Sequence, residues 1–471
     1  MDNYCDKMEE LIENIEHFKQ TDIIVVESIE DHVYTYRDIY EKANKIGSYL
    51  KNEYISEILI CAENSLELFL VYFAAMFYNI TVIPIDPEKS SDEIKLIREI
   101  HSSAVFFTKE EIKTILMDSQ IPVLEIKGIT DVDLKKTYLI TYTSGSTGQP
   151  KGVKHSVENL FLSALEFGIA MQYNSNIIMC HVMPMTYMAG ILNTIFLPYI
   201  MGGKIVLMER FSMKSAFRFW KIVEKYQVNT FWLSPTMLRI LDILDAKGSM
   251  QEYLHKVNAK VSVGTAPLDN ILRLKIEQKY NMKIYQSYGL SETLFVSTEV
   301  PDTFGSSNSS GNLLSGVQTD FTNDNELRIS VPWMFQGYVN SIMNENKFYN
   351  SGDIANIING ELFINGRKKE LIIKGGFNIN PRDIENILIE KGIVEECSVL
   401  SISVKGEENI ICCYTGEKVY DIYSTNIIIQ NTLGKKYCID FLEKMKSIPK
   451  NLNGKIDKKR LKYEMEKKYG N

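Results

Sequence analysis

The sequence predicts an α/β protein with a large N-terminal domain and a smaller C-terminal domain. Helix-like and strand-like segments alternate through the first half of the chain, which is the pattern of an α/β fold. Residues 304–325 are then rich in Gly, Ser and Asn, which favours short strands and turns. A run of small and charged residues at 366–369 interrupts the strand pattern and marks a domain junction. A chain of 471 residues is long enough for this division.

The individual elements follow from the spacing of apolar residues. Segments with helical spacing are 36–50, 65–78, 158–171 and 191–200. Short apolar runs that predict strands are 57–61, 80–83, 138–140, 177–183, 204–208, 228–233 and 260–263. We expect Pro84 and Pro87 to stop the strand at 80–83, because proline cannot donate to a sheet ladder. Near the end of the chain, the basic segment 457–468 predicts a helix with a solvated face.

The composition excludes several classes of protein. With 45% hydrophobic and 24% charged residues the chain is globular, and its net charge of -8 argues against a nucleic-acid partner. Its seven cysteines include no CxxC pair, so we expect neither a disulfide framework nor a zinc site, in keeping with a reducing cytoplasm. The N-terminus is acidic and amphipathic, unlike a signal peptide. The longest apolar run, 68–78, is about half the length that a membrane span requires, so we expect no membrane-spanning helix.

A glycine- and hydroxyl-rich loop at 142–153, YTSGSTGQPKGV, carries the strongest chemical signal. Glycine lets backbone N–H groups converge on an anion, and hydroxyls and a lysine add donors and charge. The loop is not a Walker A motif, because only two residues separate its first two glycines and a proline precedes the lysine. The pattern alone also fits a flexible linker. The residues expected at a polyphosphate are Thr143, Ser144, Gly145, Ser146, Thr147, Gly148 and Lys151.

Two later segments extend this picture. The sequence GTAP at 264–267 follows a predicted strand, and YQSYGLSET at 285–293 brings together an aromatic ring, a glycine, a hydroxyl and a carboxylate. Such a cluster can stack a purine, contact a phosphate and hold Mg²⁺, which prefers carboxylate and phosphate oxygens. Taken alone, Glu292 also fits a carboxylate at the start of a helix.

Three single residues complete the set of candidates. Asp353 is predicted in a turn, where its carboxylate can accept two ribose hydroxyls or cap its own backbone. Arg367 can contact ribose or phosphate, and by itself is also an ordinary surface arginine. Lys455 lies in the turn PKNLNGK at 449–455, ahead of the basic helix.

The order of these segments resembles the adenylate-forming superfamily, which comprises acyl-CoA synthetases, nonribosomal-peptide adenylation domains and luciferases. The motifs are YTSGSTGQPKG, GTAP, YGLSE, SGD, GRKKELIIKGGFNINPRDIE and NLNGK, and the resemblance runs from about Thr35 to Leu461. It implies a large N-terminal domain, residues 1–366, of α/β subdomains plus a distorted β-barrel. It also implies a small, mobile α+β C-terminal domain, residues 367–471, with a hinge near Lys369.

The resemblance implies a two-step reaction. A carboxylate attacks the α-phosphorus of ATP, pyrophosphate leaves, and the acyl group of the acyl-AMP then passes to a thiol. The implied nucleotide-binding residues, besides those of the loop, are Gly264, Thr265, Ala266, Tyr288, Gly289, Asp353 and Arg367. Ser291 is implied at the α-phosphate, Glu292 on Mg²⁺, and Lys455 between the carboxylate and the α-phosphate. Gly375 and Gly376 are implied beside the pantetheine tunnel.

The acid is expected to be uncharged. Met188 stands where amino-acid-activating relatives carry an aspartate, and an unpaired buried ammonium costs several kcal/mol. Trp232 and Phe295 suggest a short pocket for an aryl or short-to-medium acyl group. The residues implied to line it are Tyr187, Met188, Ala189, Leu192, Trp232, Val261, Val263, Ser287, Phe295 and Val296. The alternatives are that these are ordinary core residues, or that the chain is an amino-acid adenylation enzyme.

The acceptor thiol stays open between two sources. The segment GGFNINPRDIE resembles stand-alone CoA synthetases, whereas Pro84-Ile85-Asp86-Pro87 resembles adenylation domains that load a carrier protein. CoA and a separate acyl or peptidyl carrier protein present the same phosphopantetheine thiol. A luciferase-like oxygenase is a further alternative. A catalytically dead protein is expected to lack Lys455, Glu292 or Asp353, and all three are present.

Overall fold

The computed structural model defines the helices and strands over most of the chain. It describes residues 2–18, 22–123, 126–143, 150–301, 303, 305–341, 347–374, 377–404, 407–450 and 456–470. The helices are α1 Asp2–Glu16, α2 Tyr36–Asn52, α3 Leu66–Phe77, α4 Ser91–Ile100, α5 Lys109–Met117, α6 Val157–Ala170, α7 Met188–Ile191, α8 Leu197–Ile200, α9 Met213–Lys225, α10 Pro235–Leu244, α11 Gln251–Lys256, α12 Asn270–Tyr280, α13 Pro381–Glu390, α14 Ile422–Leu433 and α15 Lys458–Tyr469. A π-helical turn, Leu192–Phe196, joins α7 to α8.

The strands fall into four sheets. They are β1 Ile23–Glu27, β2 His32–Thr35, β3 Glu57–Cys61, β4 Thr81–Ile85, β5 Val105–Thr108, β6 Thr137–Thr143, β7 Lys151–Ser156, β8 Ile178–His181, β9 Lys204–Leu207, β10 Thr230–Leu233, β11 Lys260–Val263, β12 Ile284–Leu290, β13 Leu294–Thr298, β14 Asn312–Leu313, β15 Gln318–Phe321, β16 Glu326–Ser330, β17 Tyr349–Ile358, β18 Glu361–Arg367, β19 Ile372–Lys374, β20 Phe377–Ile379, β21 Glu396–Val404, β22 Glu407–Thr415 and β23 Phe441–Lys444. The sheet orders are β5-β3-β4-β6-β7, β15-β16-β17-β18-β14-β13-β12-β11-β10-β8-β9-β1-β2, β19-β20 and β21-β22-β23.

The large N-terminal domain is an α/β structure built on the first two sheets. The strands β3, β4 and β5 are parallel, as are β12, β11, β10, β8, β9 and β1 in the large sheet. Strands buried on both faces read as continuous apolar runs, as EILIC and TVIPI do in β3 and β4. The helix α3, LELFLVYFAAMF, is apolar on almost every side because it lies inside the largest hydrophobic cluster.

The second half of the large sheet is antiparallel and positions much of the candidate site. The strand β12 is parallel to β11 and antiparallel to β13, so it joins the two halves of the sheet. The strands β14 and β15 lie within the Gly-, Ser- and Asn-rich segment, and with β16 to β18 they form the antiparallel half of the sheet. The short strands and turns predicted for this region are therefore confirmed.

The small C-terminal domain has its own hydrophobic interior. Two clusters consist of residues from 372 onward, one around Val399 and Cys412, the other around Ile402 and Leu461. The hairpin β19–β20 precedes α13, and the sheet β21-β22-β23 packs against α13 and α15. Leu461 and Met465 of α15 are buried, so the segment predicted as a solvated helix also has a packed face.

The expected stop at Pro84 is wrong. The strand β4 continues through Pro84 to Ile85 and pairs with β3 in parallel register, Pro84 opposite Ile60. On its other side, the register with β6 is defined by the pair Val82 and Leu139. The missing N–H of Pro84 therefore lies beyond that pairing and does not interrupt it.

Candidate active site

The predicted phosphate loop connects two antiparallel strands. Thr143 ends β6, Lys151 begins β7, and these two residues are paired across the hairpin. The two flanks of the loop therefore lie side by side. Ser144, Gly145, Ser146, Thr147 and Gly148 lie outside the described residues.

Ser291 and Glu292 lie in a tight turn between β12 and β13, not at the start of a helix. The carbonyl of Ser291 accepts a hydrogen bond of 2.6 Å from Nε2 of His155, and the carbonyl of Glu292 accepts one of 3.0 Å from the N–H of Phe335. A Cβ at position 289 would lie 2.1 Å from the carbonyl oxygen of Leu294, so the close approach of the two strands requires Gly289. The turn is thus fixed by backbone contacts from two other segments.

Glu292 is held by a tyrosine that also contacts Lys151. The hydroxyl of Tyr338 donates a hydrogen bond of 2.8 Å to Oε1 of Glu292, and Nζ of Lys151 lies 5.1 Å from the centre of the Tyr338 ring. The hydroxyl of Tyr349, 3.0 Å from that of Tyr338, also interacts with the Glu292 carboxylate. Two tyrosine hydroxyls therefore orient this carboxylate.

Asp353 is buried and forms a cluster with the half-buried Tyr288 and Arg367. Its Oδ2 accepts a hydrogen bond of 2.6 Å from the hydroxyl of Tyr288, and its Oδ1 lies 2.7 Å from Nε of Arg367. The expected turn at Asp353 is wrong, because the residue lies inside β17 opposite Arg367 of β18. The φ of 73° at Gly352 explains why the sequence SGD looked like a turn. Burial raises the pKa of Asp353, and the guanidinium of Arg367 opposes this effect.

The segment Gly264–Thr265–Ala266 follows β11 and borders Trp232. A Cβ at position 264 would lie 3.0 Å from Cζ2 of Trp232, so glycine allows the indole to pack against the backbone here. Thr265 has a φ of 70°, in the left-handed region that threonine rarely adopts. Its buried Oγ1 has no hydrogen-bond partner among the described residues. A strained residue with a free hydroxyl is typical of a binding site.

The residues expected around the acyl group divide between two clusters. Trp232 and Phe295 enclose a third ring, Phe167, which sequence reasoning missed: Phe167 stacks on Phe295 at 4.1 Å and lies 5.3 Å from Trp232. Trp232 and Phe295 also contact each other, at 5.4 Å. The other expected residues in this cluster, or packed against it, are Tyr187, Met188, Ala189, Leu192 and Val296. Ser287 is buried nearby, its hydroxyl 2.9 Å from that of Thr298.

Val261 and Val263 do not lie beside Trp232, contrary to expectation. In the register of β10 and β11, Trp232 is opposite Ser262, so Ser262 shares its face of the sheet. Side chains alternate between faces along a strand, which directs Val261 and Val263 to the other side. There they belong to the second hydrophobic cluster. The expectation was wrong by one residue in register.

The expected hinge forms a short 3₁₀ turn, Lys368–Glu370, directly after β18. Partial desolvation lowers the pKa of Lys369, and the nearby guanidinium of Arg367 acts in the same direction. Arg382 of α13 donates a hydrogen bond of 2.6 Å to the carbonyl of Ile364 in β18, so the two sides of the turn are in contact. Gly375, Gly376 and Lys455 lie outside the described residues.

Two groups of distant residues are thus brought together. One comprises Lys151, Glu292 and Tyr338, and the other comprises Tyr288, Asp353 and Arg367. They are neighbours because Tyr288 and Glu292 belong to the same hairpin. The described residues contain no group of three or more His, Cys, Asp and Glu side chains that could hold a metal ion by themselves.

Comparison with known proteins identifies the family. The family model described as AMP-binding enzyme matches residues 13–339. The chain belongs to the AMP-binding enzyme family. This AMP-binding enzyme is 27% identical over 340 residues to a 2-succinylbenzoate–CoA ligase of Listeria monocytogenes, a match that covers 70% of each chain. It is 25% identical over 468 residues to the uncharacterized acyl–CoA ligase YhfT of Bacillus subtilis, covering 91% of this chain and 92% of the relative.

A luciferin 4-monooxygenase of Nipponoluciola cruciata is also similar, with 24% identity over 500 residues that cover 90% of this chain and 88% of the relative. Among solved structures, ATP-bound MatB from Rhodopseudomonas palustris superposes with a TM-score of 0.85 at 17% identity, covering 98% of this chain and 99% of MatB. MenE from Bacillus subtilis with ATP and magnesium gives a TM-score of 0.81 at 19% identity, over 96% and 99% of the two chains. These structures confirm the fold of the AMP-binding enzyme. In the described ranges, every helix is too short or too polar to cross a membrane.

Proposed function

We propose that this protein is an AMP-forming acid–thiol ligase, which activates a small carboxylic acid with ATP and transfers the acyl group to a phosphopantetheine thiol. The observation that carries the proposal is the meeting of motif residues from distant parts of the chain. Lys151 and Glu292 are linked through Tyr338, and Asp353 joins Tyr288 to Arg367. The CoA ligases among the relatives support a thioester product.

In this proposal the nucleotide lies across both clusters. Asp353 accepts the ribose hydroxyls, Arg367 fixes the carboxylate that does so, and Tyr288 packs on the adenine beside Gly264–Ala266. The loop from Thr143 to Lys151 binds the β- and γ-phosphates. Ser291 approaches the α-phosphate. An aspartate with both oxygens already oriented is preorganised for a diol, which reduces the entropy lost on binding.

Glu292 suits Mg²⁺. Mg²⁺ commonly binds one or two carboxylates together with substrate phosphates and waters, rather than an all-protein cage. Glu292 is a single half-buried carboxylate that shares Tyr338 with Lys151 of the phosphate loop, which matches that preference. The bound ion would neutralise charge on the phosphates. Lys455 would balance the charge that builds between the attacking carboxylate and the α-phosphate.

The acid is proposed to be uncharged, apart from its carboxylate, and aryl or short-to-medium in size. Met188 is buried among apolar side chains, and no acidic group stands at that position to pair with an ammonium. Three rings in mutual contact occupy much of the proposed acyl pocket: Trp232, Phe295 and Phe167. This favours a short acid. The 2-succinylbenzoate–CoA ligases among the relatives support the aryl group only, because 2-succinylbenzoate carries a second carboxylate.

The second step is proposed to follow a rotation of the C-terminal domain, residues 367–471, about Lys369. This rotation would bring the turn at Gly375 and Gly376 to the pantetheine tunnel. CoA is the acceptor that the relatives favour, and a separate carrier protein is the alternative. We place the reaction in the cytoplasm, where ATP and both thiols are available.

A product screen tests the proposal. The full chain is incubated with MgATP and single acids that include benzoates, short- and medium-chain acids and α-amino acids, each with CoA, with a pantetheinylated carrier protein, or with hydroxylamine. We expect pyrophosphate and AMP in equal amounts, together with a thioester or hydroxamate product. Their formation should require an acid that has no charge besides its carboxylate. Release of ADP and phosphate would contradict the proposal. Because a luciferin monooxygenase is among the relatives, light emission in air would favour an oxygenase instead.

A further inference from the structure

Tyr338 is the residue through which the phosphate loop meets the turn that carries Glu292. Its hydroxyl donates to Oε1 of Glu292 at 2.8 Å, and its ring lies 5.1 Å from Nζ of Lys151. The two proposed ligands of the Mg²⁺–phosphate unit are 141 positions apart in the sequence (292 − 151). In the structure Lys151 and Glu292 both contact Tyr338, which lies outside the sequence motifs described above.

The backbone around Tyr338 is fixed by both partners. Gly152 of β7 accepts a hydrogen bond of 2.8 Å from the N–H of Val339, and the N–H of Lys154 donates one of 3.1 Å to Gly337. On the other side, Nε1 of Trp333 donates at 2.9 Å to the carbonyl of Thr293. The segment from Trp333 to Val339 therefore makes hydrogen bonds with both β7 and the turn that carries Glu292, and it fixes their relative positions.

A second tyrosine orients the hydroxyl of Tyr338. The hydroxyl of Tyr349 lies 3.0 Å from it, and Phe335 contacts both rings, with centroid distances of 5.0 Å and 5.6 Å. A phenol is protonated at neutral pH, so Tyr338 can donate to a carboxylate there. With one acceptor on Glu292 and one partner on Tyr349, the direction of the hydroxyl is set by geometry.

We propose that Tyr338 is the positioning residue of the metal–pyrophosphate site, on the basis of the function proposed above. Its hydroxyl, together with that of Tyr349, holds the Glu292 carboxylate in one orientation for the cation, and its ring holds the ammonium of Lys151 on the same side. The ring contact is weak, about 0.5–1 kcal/mol at an exposed site, so phosphate oxygens readily replace it. The hydrogen bond to Glu292 is charge-assisted and stronger.

Two substitutions separate the two roles. Tyr338→Phe removes the hydroxyl and keeps the ring, so we expect the Mg²⁺ concentration for half-maximal pyrophosphate release to rise about tenfold, which equals about 1.4 kcal/mol. The KM for ATP at saturating Mg²⁺ should change less than about threefold, because the ring contact with Lys151 remains. Tyr338→Leu also removes the ring and should raise that KM further. The matched control is Tyr253→Phe, which loses a hydroxyl bonded to the carbonyls of Val223 and Val228.

Binding is measured without turnover as well. Electron paramagnetic resonance follows Mn²⁺ in the presence of α,β-methylene-ATP, which cannot release pyrophosphate, and Tyr338→Phe should weaken Mn²⁺ binding about tenfold. In a Glu292→Gln background the same substitution should add nothing, because it acts through Glu292. Equal Mn²⁺ affinity in Tyr338→Phe and in the folded control, or additive effects in the double variant, would overturn the inference. Loss of the proposed function would show separately, as wild-type protein that releases no acid-dependent pyrophosphate.

Discussion

The buried histidine behind the Ser291 turn makes the stability of the large domain depend on pH. His155 is fully buried, and its Nε2 donates a hydrogen bond of 2.6 Å to the carbonyl of Ser291. Its Nδ1 has no hydrogen-bond partner among the described residues. Burial lowers the pKa of His155 to about 4. The charged imidazolium is therefore disfavoured in the folded state, whereas the unfolded chain takes up the proton at about 6.5.

The sign and size of the effect follow from this pKa difference. Between about pH 6.5 and pH 4 the unfolded state binds more protons, so the free energy of unfolding falls as the pH falls. For His155 alone the loss is about 2 kcal/mol at pH 5 and roughly 3 kcal/mol at pH 4. His181, whose pKa burial lowers to about 3, adds a loss of about 2 kcal/mol at pH 5. The substitution His155→Gln should remove the loss due to His155 and leave the loss due to His181.

Urea unfolding followed by tryptophan fluorescence measures this difference. All three tryptophans, 220, 232 and 333, precede residue 366, so the fluorescence reports on the large domain. His155→Gln should lower stability at pH 7, because glutamine leaves its own buried oxygen unpaired. Its further loss between pH 7 and pH 5 should be about 2 kcal/mol smaller than that of the wild type. The same pH-dependent loss in both proteins would refute the reasoning.

Three other substitutions test separate steps. Lys455→Ala should abolish adenylation while ATP still binds, and unchanged pyrophosphate release in this variant would remove Lys455 from the mechanism. Lys369→Pro fixes the backbone of the 3₁₀ turn, so it should slow thioester formation more than adenylation, and equal loss of both steps would contradict a hinge there. Trp232→Ala removes a ring packed on Phe167 and Phe295, so longer acids should become better substrates than short ones. The same substitution should lower the stability of the domain by about 3–5 kcal/mol, because it removes a buried ring. An unchanged preference among acids would place the acyl group elsewhere.

Much of the fold could be predicted because its elements have local causes. The strand β3 has the predicted bounds, and α3 begins after Ser65, whose side chain caps it. Pro84 was misread because the cost of a proline in a strand depends on the neighbouring strand, which local sequence does not specify. Asp353 was misread because a glycine with positive φ occurs inside a strand as well as in a turn.

The candidate site was predicted only where a motif carried it. Glu292, Asp353 and Arg367 were found from their segments, but Tyr338 and His155 were not, since their roles depend on contacts across more than 40 residues. His155 could have been noticed as a lone histidine four residues after Lys151. The error at Val261 and Val263 is one of register: a shift of one residue reverses the face of a strand, and only the observed pairing of β10 with β11 decides it.

The claim that a carboxylate attacks the α-phosphorus of ATP is tested most directly by isotope transfer. An acid found in the screen is labelled with ¹⁸O in its carboxylate and turned over with MgATP and the acceptor thiol. The bridging oxygen of the acyl-AMP comes from the acid, so one ¹⁸O should appear in the phosphate of AMP, as read by mass spectrometry, and none in pyrophosphate. Label in inorganic phosphate, or AMP without label, would contradict the account.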